Sequence, residues 1–381
     1  MSSPHAPDKS RMKRNPHLDA LRGVAILLIL AWHLVGPWAR SHSPMLSRLL
    51  STSWSGVDLF FVLSGFLIGN ILLDNRLSPN YYMTFYTRRA LRILPLYALL
   101  IMVLLLAVGS PKDILPYITF TQNVTWSMND KFGPEILAPT WSLAVEEQFY
   151  LILSLLVRLV SPARLPVVLI GGVVVAPLCR IIMLLLALPH AAYMLLPCRA
   201  DALFLGVLVA YVMRPDTRPE FFVKRKSFLR YTAILLGVGF VTLSLVDLTV
   251  LDWRMVTFGY TVIDLFYACI LLLVLVKGSK LRTAEKPLIW CGLAAYSMYL
   301  FHEPLWVIVF HPIGHGPLPF VGAVLSIGAV GAFCWLFIER PLIAYGHKWH
   351  TYKKAEIAVA LRGRDTTAAA VLENECDMDP R

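Results

Sequence analysis

Ten apolar runs follow one another along the 381 residues, at about 18–36, 54–74, 90–109, 141–160, 165–188, 200–213, 229–247, 257–276, 288–310 and 319–340. Most reach the roughly 20 residues that a helix rising 1.5 Å per residue needs to cross about 30 Å of hydrocarbon. A soluble domain of this length could not hide so much apolar surface: 57% of residues are hydrophobic, 15% are charged and the mean hydropathy is +0.64. Each run must satisfy its own backbone in lipid, which leaves helices as the economical solution. The expected fold is all-α, a polytopic integral membrane protein with about ten transmembrane helices.

The net charge of +11 would suit a nucleic-acid partner if it were spread over one face. Its placement says otherwise. With the N-terminus inside, the four internal loops hold 16 Lys and Arg, among them Arg76, Arg88, Arg89 and Arg92, against six in the five external loops and their margins. That bias predicts a multi-pass protein of the cell (inner) membrane with both termini cytoplasmic, and it accounts for the basic character without nucleic acid. Lys9, Arg11, Lys13 and Arg14 precede the first run as in a signal peptide, but GPWARSHSP after it offers no small-residue cleavage site, so the run is read as retained. The organisation expected is a cytoplasmic basic tail at 1–17, a membrane domain at 18–345 and a cytoplasmic polar tail at 346–381. The six cysteines are scattered, with no CxxC pair and no histidine at metal-ligand spacing, so neither a disulfide nor a metal is expected.

Within the first run, LDALRGVAILLILAWH, ten residues separate Arg22 from His33. Eleven steps of 100° bring the two within about 20° of one direction, with His33 roughly 16 Å above Arg22. An imidazole in a membrane segment is a functional candidate by default. Arg22 as an inner-face anchor and His33 as a packed core histidine stay open beside that reading.

Other polar residues interrupt the later runs. Asp58 lies near the outer end of the second, in SGVDLFFVLSGFLIG, where Ser64, Gly65 and Gly69 suit close helix approach. A carboxylate there needs a partner, and His33 is the nearest at similar depth in sequence. FYTRRALRILPLY puts Arg89 and Arg92 three apart on one helical face at the inner surface, a fork suited to phosphate, in a ligand or in lipid headgroups. The loop at about 110–140 reads as a lid or re-entrant piece. TWSLAVEEQFYLI follows it, with Thr140 or Ser142 as cap and Glu146 and Glu147 pointing about 100° apart. Further on, Arg180 with Asp264 or Asp201 could form a structural ion pair. Arg199 and Asp201 in CRADALFLGVLVA and His302 in SMYLFHEPL belong either to an acceptor site or to the scaffold. Titratable groups collect in the outer half and arginines at the inner surface, the pattern of an acceptor site and a donor site joined through the membrane.

Taken in order, LDALRGVAILLILAWH, GVDLFFVLSGFLIG, RRALRILPLY, TWSLAVEEQFYL, CRADALFLGVLVA, SMYLFHEPL and FIERPLI resemble the successive motifs of the acyltransferase 3 family, integral membrane O-acyltransferases, over residues 18–345. The resemblance implies transfer of an acyl group, commonly acetyl, from cytoplasmic acyl-CoA to a hydroxyl of a sugar, polysaccharide or other envelope or secreted acceptor. It implies that His33 is the essential histidine with Arg22 its motif partner, that Arg89 and Arg92 are the paired arginines of the third span, and that Glu146 is the acid of the WSL-containing motif. Some members carry a soluble esterase-like domain after the membrane part; the residues after 345 are too few for one.

The residue chemistry agrees with that implication. A hydroxyl attacks a thioester more readily when a neutral imidazole takes its proton. His33 is the candidate base, Asp58 or Glu146 the candidates to fix its tautomer, and Arg22, Arg89 and Arg92 the candidates to hold acyl-CoA; a covalent acyl-histidine is a second route. Two rivals stand beside this reading: a transporter or flippase of a lipid-linked sugar, weakened by the absence of repeated half-domains, and a scaffold whose polar groups only pair.

Overall fold

The computed structural model describes residues 15–107, 114–214, 217, 220–246, 248–277, 283–314 and 317–353. Both tails lie largely outside these residues, as do Asp247, Cys376 and the loop cations Lys112, Arg218, Lys280 and Arg282. Among the described residues there are helices and turns and no strand. Among the described residues eight helices are long and apolar enough to cross a membrane alone, and Lys286–Leu293 with Ala295–Ile313 reaches that length and apolarity only as a pair, bent by 72° at the break between them. Thr140–Leu159 is equally long, at 20 residues, but Glu146 and Glu147 reduce its apolarity. The expectation of about ten is met.

We label the helices in chain order: α1 Pro16–His42, α2 Gly56–Asp74, α3 Tyr81–Ala107, α4 Thr140–Leu159, α5 Leu165–Leu185, α6 Leu196–Val212, α7 Lys226–Leu245, α8 Tyr260–Lys277, α9 Lys286–Leu293, α10 Ala295–Ile313 and α11 Leu318–Trp349. Asn15 caps α1 by accepting from the His17 amide at 3.0 Å. A five-residue π-helical turn, Ala31–Val35, carries His33; such turns, which add one residue to the helix, gather at functional sites. The third helix starts at Tyr81, well before the apolar run, because its aromatic first turns pack on α4: the Tyr81 hydroxyl donates to the Ser154 carbonyl at 3.1 Å, and the Tyr86 hydroxyl lies 2.7 Å from Ser154 Oγ. This draws Arg89 and Arg92 into the helix body. No side chain caps α4; Thr140 and Ser142 instead donate back to the carbonyls of Leu137 and Pro139.

Two close crossings set the frame. A Cβ at Gly65 would overlap the Leu203 carbonyl and one at Gly206 the Val62 carbonyl, so α2 and α6 touch backbone to backbone, the approach that small residues permit in lipid. In the same way Gly23 of α1 meets Leu288 and Gly292 of α9 meets Asp19. The second crossing, followed by the bend into α10, lays α10 along α1. The loop after α3 folds into the short helices Leu115–Ile118 and Gln122–Met128. It is pinned over the helix ends by Gln122 donating to the Thr140 carbonyl at 2.8 Å, Asn123 to that of Met194 at 3.1 Å and Gln148 to that of Phe120 at 2.8 Å. Past residue 345 the chain stays attached, as Arg88 donates to the His350 carbonyl and Asn80 to that of Thr351.

Candidate active site

The polar residues of the membrane domain sort into three groups. The first lines a cavity of about 200 Å³ between α1, α2, α3, α4 and α10. Arg22 from α1 and Arg89 and Arg92 from α3 line it, half-buried, and among the described residues none of them forms a salt bridge. The arginines expected at the inner surface therefore meet inside the bundle. Glu146, Glu147 and Glu339 lie within electrostatic reach. Glu146 accepts from the Tyr150 hydroxyl at 3.0 Å, Tyr150 lies 2.6 Å from Ser64 Oγ, and the Arg89 guanidinium sits 5.5 Å from the Tyr150 ring. Ser142, Tyr296 and Tyr299 also line it, and the α2 side of the wall is mostly apolar, with Phe60, Phe61, Leu67 and Ile68. Guanidiniums without carboxylate partners in an apolar enclosure are costly unless an anion joins them. The volume falls below the about 300–1,000 Å³ of pockets that enclose a whole drug-sized ligand, so the cavity suits an anionic group with an arm.

The second group is His33, His302 and Glu303. Glu303 Oε1 pairs with His33 Nδ1. The two imidazoles meet edge to face with centroids 5.0 Å apart. His302 Nδ1 donates to the Tyr299 carbonyl at 2.6 Å, and its Nε2 stands 3.9 Å from Glu303 Oε1. Glu303 and His302 are buried, whereas the His33 side chain is 31% exposed and open to an incoming group. Tyr299 stands between this group and the cavity. Its ring is 6.1 Å from Phe60 and 5.7 Å from His302, and its hydroxyl donates to the Pro139 carbonyl at 2.9 Å beside Ser142 Oγ. Ala295, Tyr296, Tyr299, His302 and Glu303 fall on one face of α10, at spacings of one to four residues, and that face runs from the cavity holding Arg22 to His33. The stripe read on α1 thus has a matching stripe on its neighbour.

The third group is a buried ion cluster between α2, α5, α6 and α8. Arg199 pairs with Asp58 and lies 4.3 Å from the centre of the Tyr260 ring. Arg180 donates to Asp201 at 2.9 Å, to the Cys198 carbonyl at 2.6 Å and to Thr261 Oγ1 at 2.6 Å. Asp264 lies in electrostatic reach of both arginines. All five charged side chains are buried. This group corrects the pairing expected for Asp58, which meets Arg199 and not His33. Glu146 does not reach His33 either, since it faces the arginine cavity. Arg199 and Asp201 join the ion cluster, away from His302. The carboxylate at His33 is Glu303, which follows His302 in SMYLFHEPL and is not among the residues that the sequence singled out.

Residues 15–339 match the acyltransferase domain of the acyltransferase 3 family, and the chain belongs to that family. It is 27% identical over 379 residues to O-acetyltransferase OatA of Staphylococcus aureus strain MRSA252, covering 90% of this chain and 60% of that protein. It is 30% identical over 361 residues to peptidoglycan O-acetyltransferase OatA of Listeria monocytogenes serovar 1/2a, covering 86% of this chain and 55% of that protein. The chain therefore spans little more than half the length of these relatives. No solved structure matches it.

Proposed function

We propose that this protein is a membrane O-acyltransferase that moves an acyl group, acetyl by analogy with its relatives, from acyl-CoA to a hydroxyl of a carbohydrate of the cell envelope, peptidoglycan being the acceptor class that the Listeria relative's name supplies. The observation that carries this is the alignment of two sites on one α10 face: an arginine-lined cavity leading to Tyr299, and the His33–Glu303 pair directly beyond it. Arg22, Arg89 and Arg92 hold donor phosphate, and the apolar wall from α2 guides the pantetheine arm. Glu303 accepts from His33 Nδ1–H, which leaves Nε2 free to take the proton of the acceptor hydroxyl. As the hydroxyl oxygen bonds the acyl carbon, the C–S bond breaks, and the imidazolium returns its proton to the departing thiolate. Glu303 stabilises the imidazolium in between. The loop-charge bias supports a donor entering from the cytoplasm, with both termini on that side of the cell membrane.

Two measurements test this. Purified protein supplied with acetyl-CoA and a soluble glycan acceptor releases free thiol in step with ester formation, and envelope glycans from cells lacking the protein lose an acyl increment by mass spectrometry. Glycans unchanged in mass, together with no thiol release, overturn the proposal.

A further inference from the structure

The His33, His302 and Glu303 group holds lone pairs that proton transfer leaves unused. Because His302 Nδ1 spends its hydrogen on the Tyr299 carbonyl, Nε2 is a bare acceptor. It is fully buried and, among the described residues, has no partner; the same holds for Glu303 Oε2. Two buried acceptor atoms of adjacent residues are thus left unsatisfied, an arrangement that calls for a cation or a further proton donor. His33 closes the third side, and one ligand atom from each of the three residues lies within 4.8 Å of the other two.

We propose that His33, His302 and Glu303 bind a divalent 3d cation, zinc in particular, and that its occupancy inhibits acyl transfer. Two imidazoles and one carboxylate form an N₂O donor set suited to zinc and cobalt, with a fourth position left for water. The Tyr299 carbonyl supplies the outer hydrogen bond that orients a ligating histidine. Ligand atoms each about 2.1 Å from a shared tetrahedral ion sit about 3.4 Å apart. To reach that spacing His302 Nε2, at 3.9 Å from Glu303 Oε1, closes in by about 0.5 Å, while His33 Nδ1 gives up its hydrogen bond to the same oxygen and moves apart from it. The 31% exposure of His33 provides the way in. An ion on His33 Nδ1 leaves the ring's hydrogen on Nε2, so the lone pair that would accept the hydroxyl proton is gone. This inhibitory part rests on the base role proposed for His33; the binding part does not.

The test uses the full chain, purified without a polyhistidine tag, stripped with chelator and then freed of it. Titrated cobalt should give one saturable visible absorption band per protein, displaced by zinc. His302→Gln and Glu303→Gln should each weaken it at least about 100-fold, beyond the typical effect of losing an outer-sphere partner, whereas His190→Gln, in a separate pair with Asp130, should leave it intact. In the unmodified protein, stoichiometric zinc should shield His33, the exposed imidazole of the group, from carbethoxylation by diethyl pyrocarbonate, a readout independent of whether any variant folds. No saturable band, a band that survives both substitutions, or no shielding overturns the site. Zinc should also slow transfer, with recovery on chelation. Bound zinc with unchanged turnover overturns the inhibitory part and removes His33 from the base role, whereas absence of the band overturns the metal site alone.

Discussion

The pairing of Asp58 with Arg199 is where structure and chemistry can be separated most sharply. Both side chains are essentially inaccessible, and Arg199 is further enclosed by Tyr260 and Tyr193, with its Nη1 unpartnered among the described residues. Replacing Asp58 by Leu strands a guanidinium in that enclosure, and breaking a buried pair by removing one partner destabilises by about 3–5 kcal/mol. Asp264 lies within electrostatic reach of Arg199 and compensates in part, which places the expected loss near about 3 kcal/mol, or about 150-fold in the folding equilibrium. Removing both charges, as Asp58→Leu with Arg199→Met, removes the stranded guanidinium, so the double variant should be more stable than Asp58→Leu alone, with a coupling of about 2–3 kcal/mol. Unfolding of detergent-purified protein, followed by fluorescence-detected size exclusion after graded heating, completes the cycle. Turnover per folded molecule should match the parent in the double variant, because neither residue touches His33 or the arginine cavity. Parent-like stability of Asp58→Leu with turnover abolished would refute this reasoning and return Asp58 to the catalytic group.

The remaining expectations concern the proposed reaction. His33→Ala should insert and fold normally but lose about 10²–10⁴ in rate, measured as thiol release from acetyl-CoA. Glu303→Gln should lower kcat while leaving the affinity for acetyl-CoA unchanged, since Glu303 faces His33 and not the arginine cavity; a change confined to KM would speak against its orienting role. Arg89→Ala or Arg92→Ala should weaken CoA binding by about 10- to 150-fold in calorimetric titration, from about 1.5–3 kcal/mol per lost charge-assisted contact, and parent-like binding in both would make them lipid anchors. With the native cysteines replaced, Leu77→Cys, at a site 68% exposed, should react with an impermeant maleimide only after permeabilisation, and Met128→Cys, at a site 80% exposed, in intact cells; the opposite pattern would leave acyl-CoA on the wrong side.

What could be read from the chain and what could not divide along one physical line. Periodicity within a helix is local, so the spans and the arginines three apart on one helix were legible. Which buried acid meets which buried base depends on helix neighbours, and these are set by crossings such as Gly23 on Leu288 and Gly292 on Asp19, which spacing along the chain does not reveal. Choosing Asp58 for His33 took the nearest span in sequence as the nearest in space. The actual partner, Glu303, lies on α10, brought alongside α1 by the α9 crossing and the bend after it. A signal for it existed: a carboxylate beside a histidine within an apolar run must be satisfied from another helix. That demand ranks Glu303 with Asp58 and Glu146 as claimants. Counting bases would have narrowed the choice further, because Arg199, like Asp58, sits near the end of an apolar run and needs a partner, and a guanidinium cannot shed its charge as an imidazole can. The permanent cation has first claim on a carboxylate in a buried site. A histidine kept free to gain and lose a proton is left with the acid that no arginine has taken.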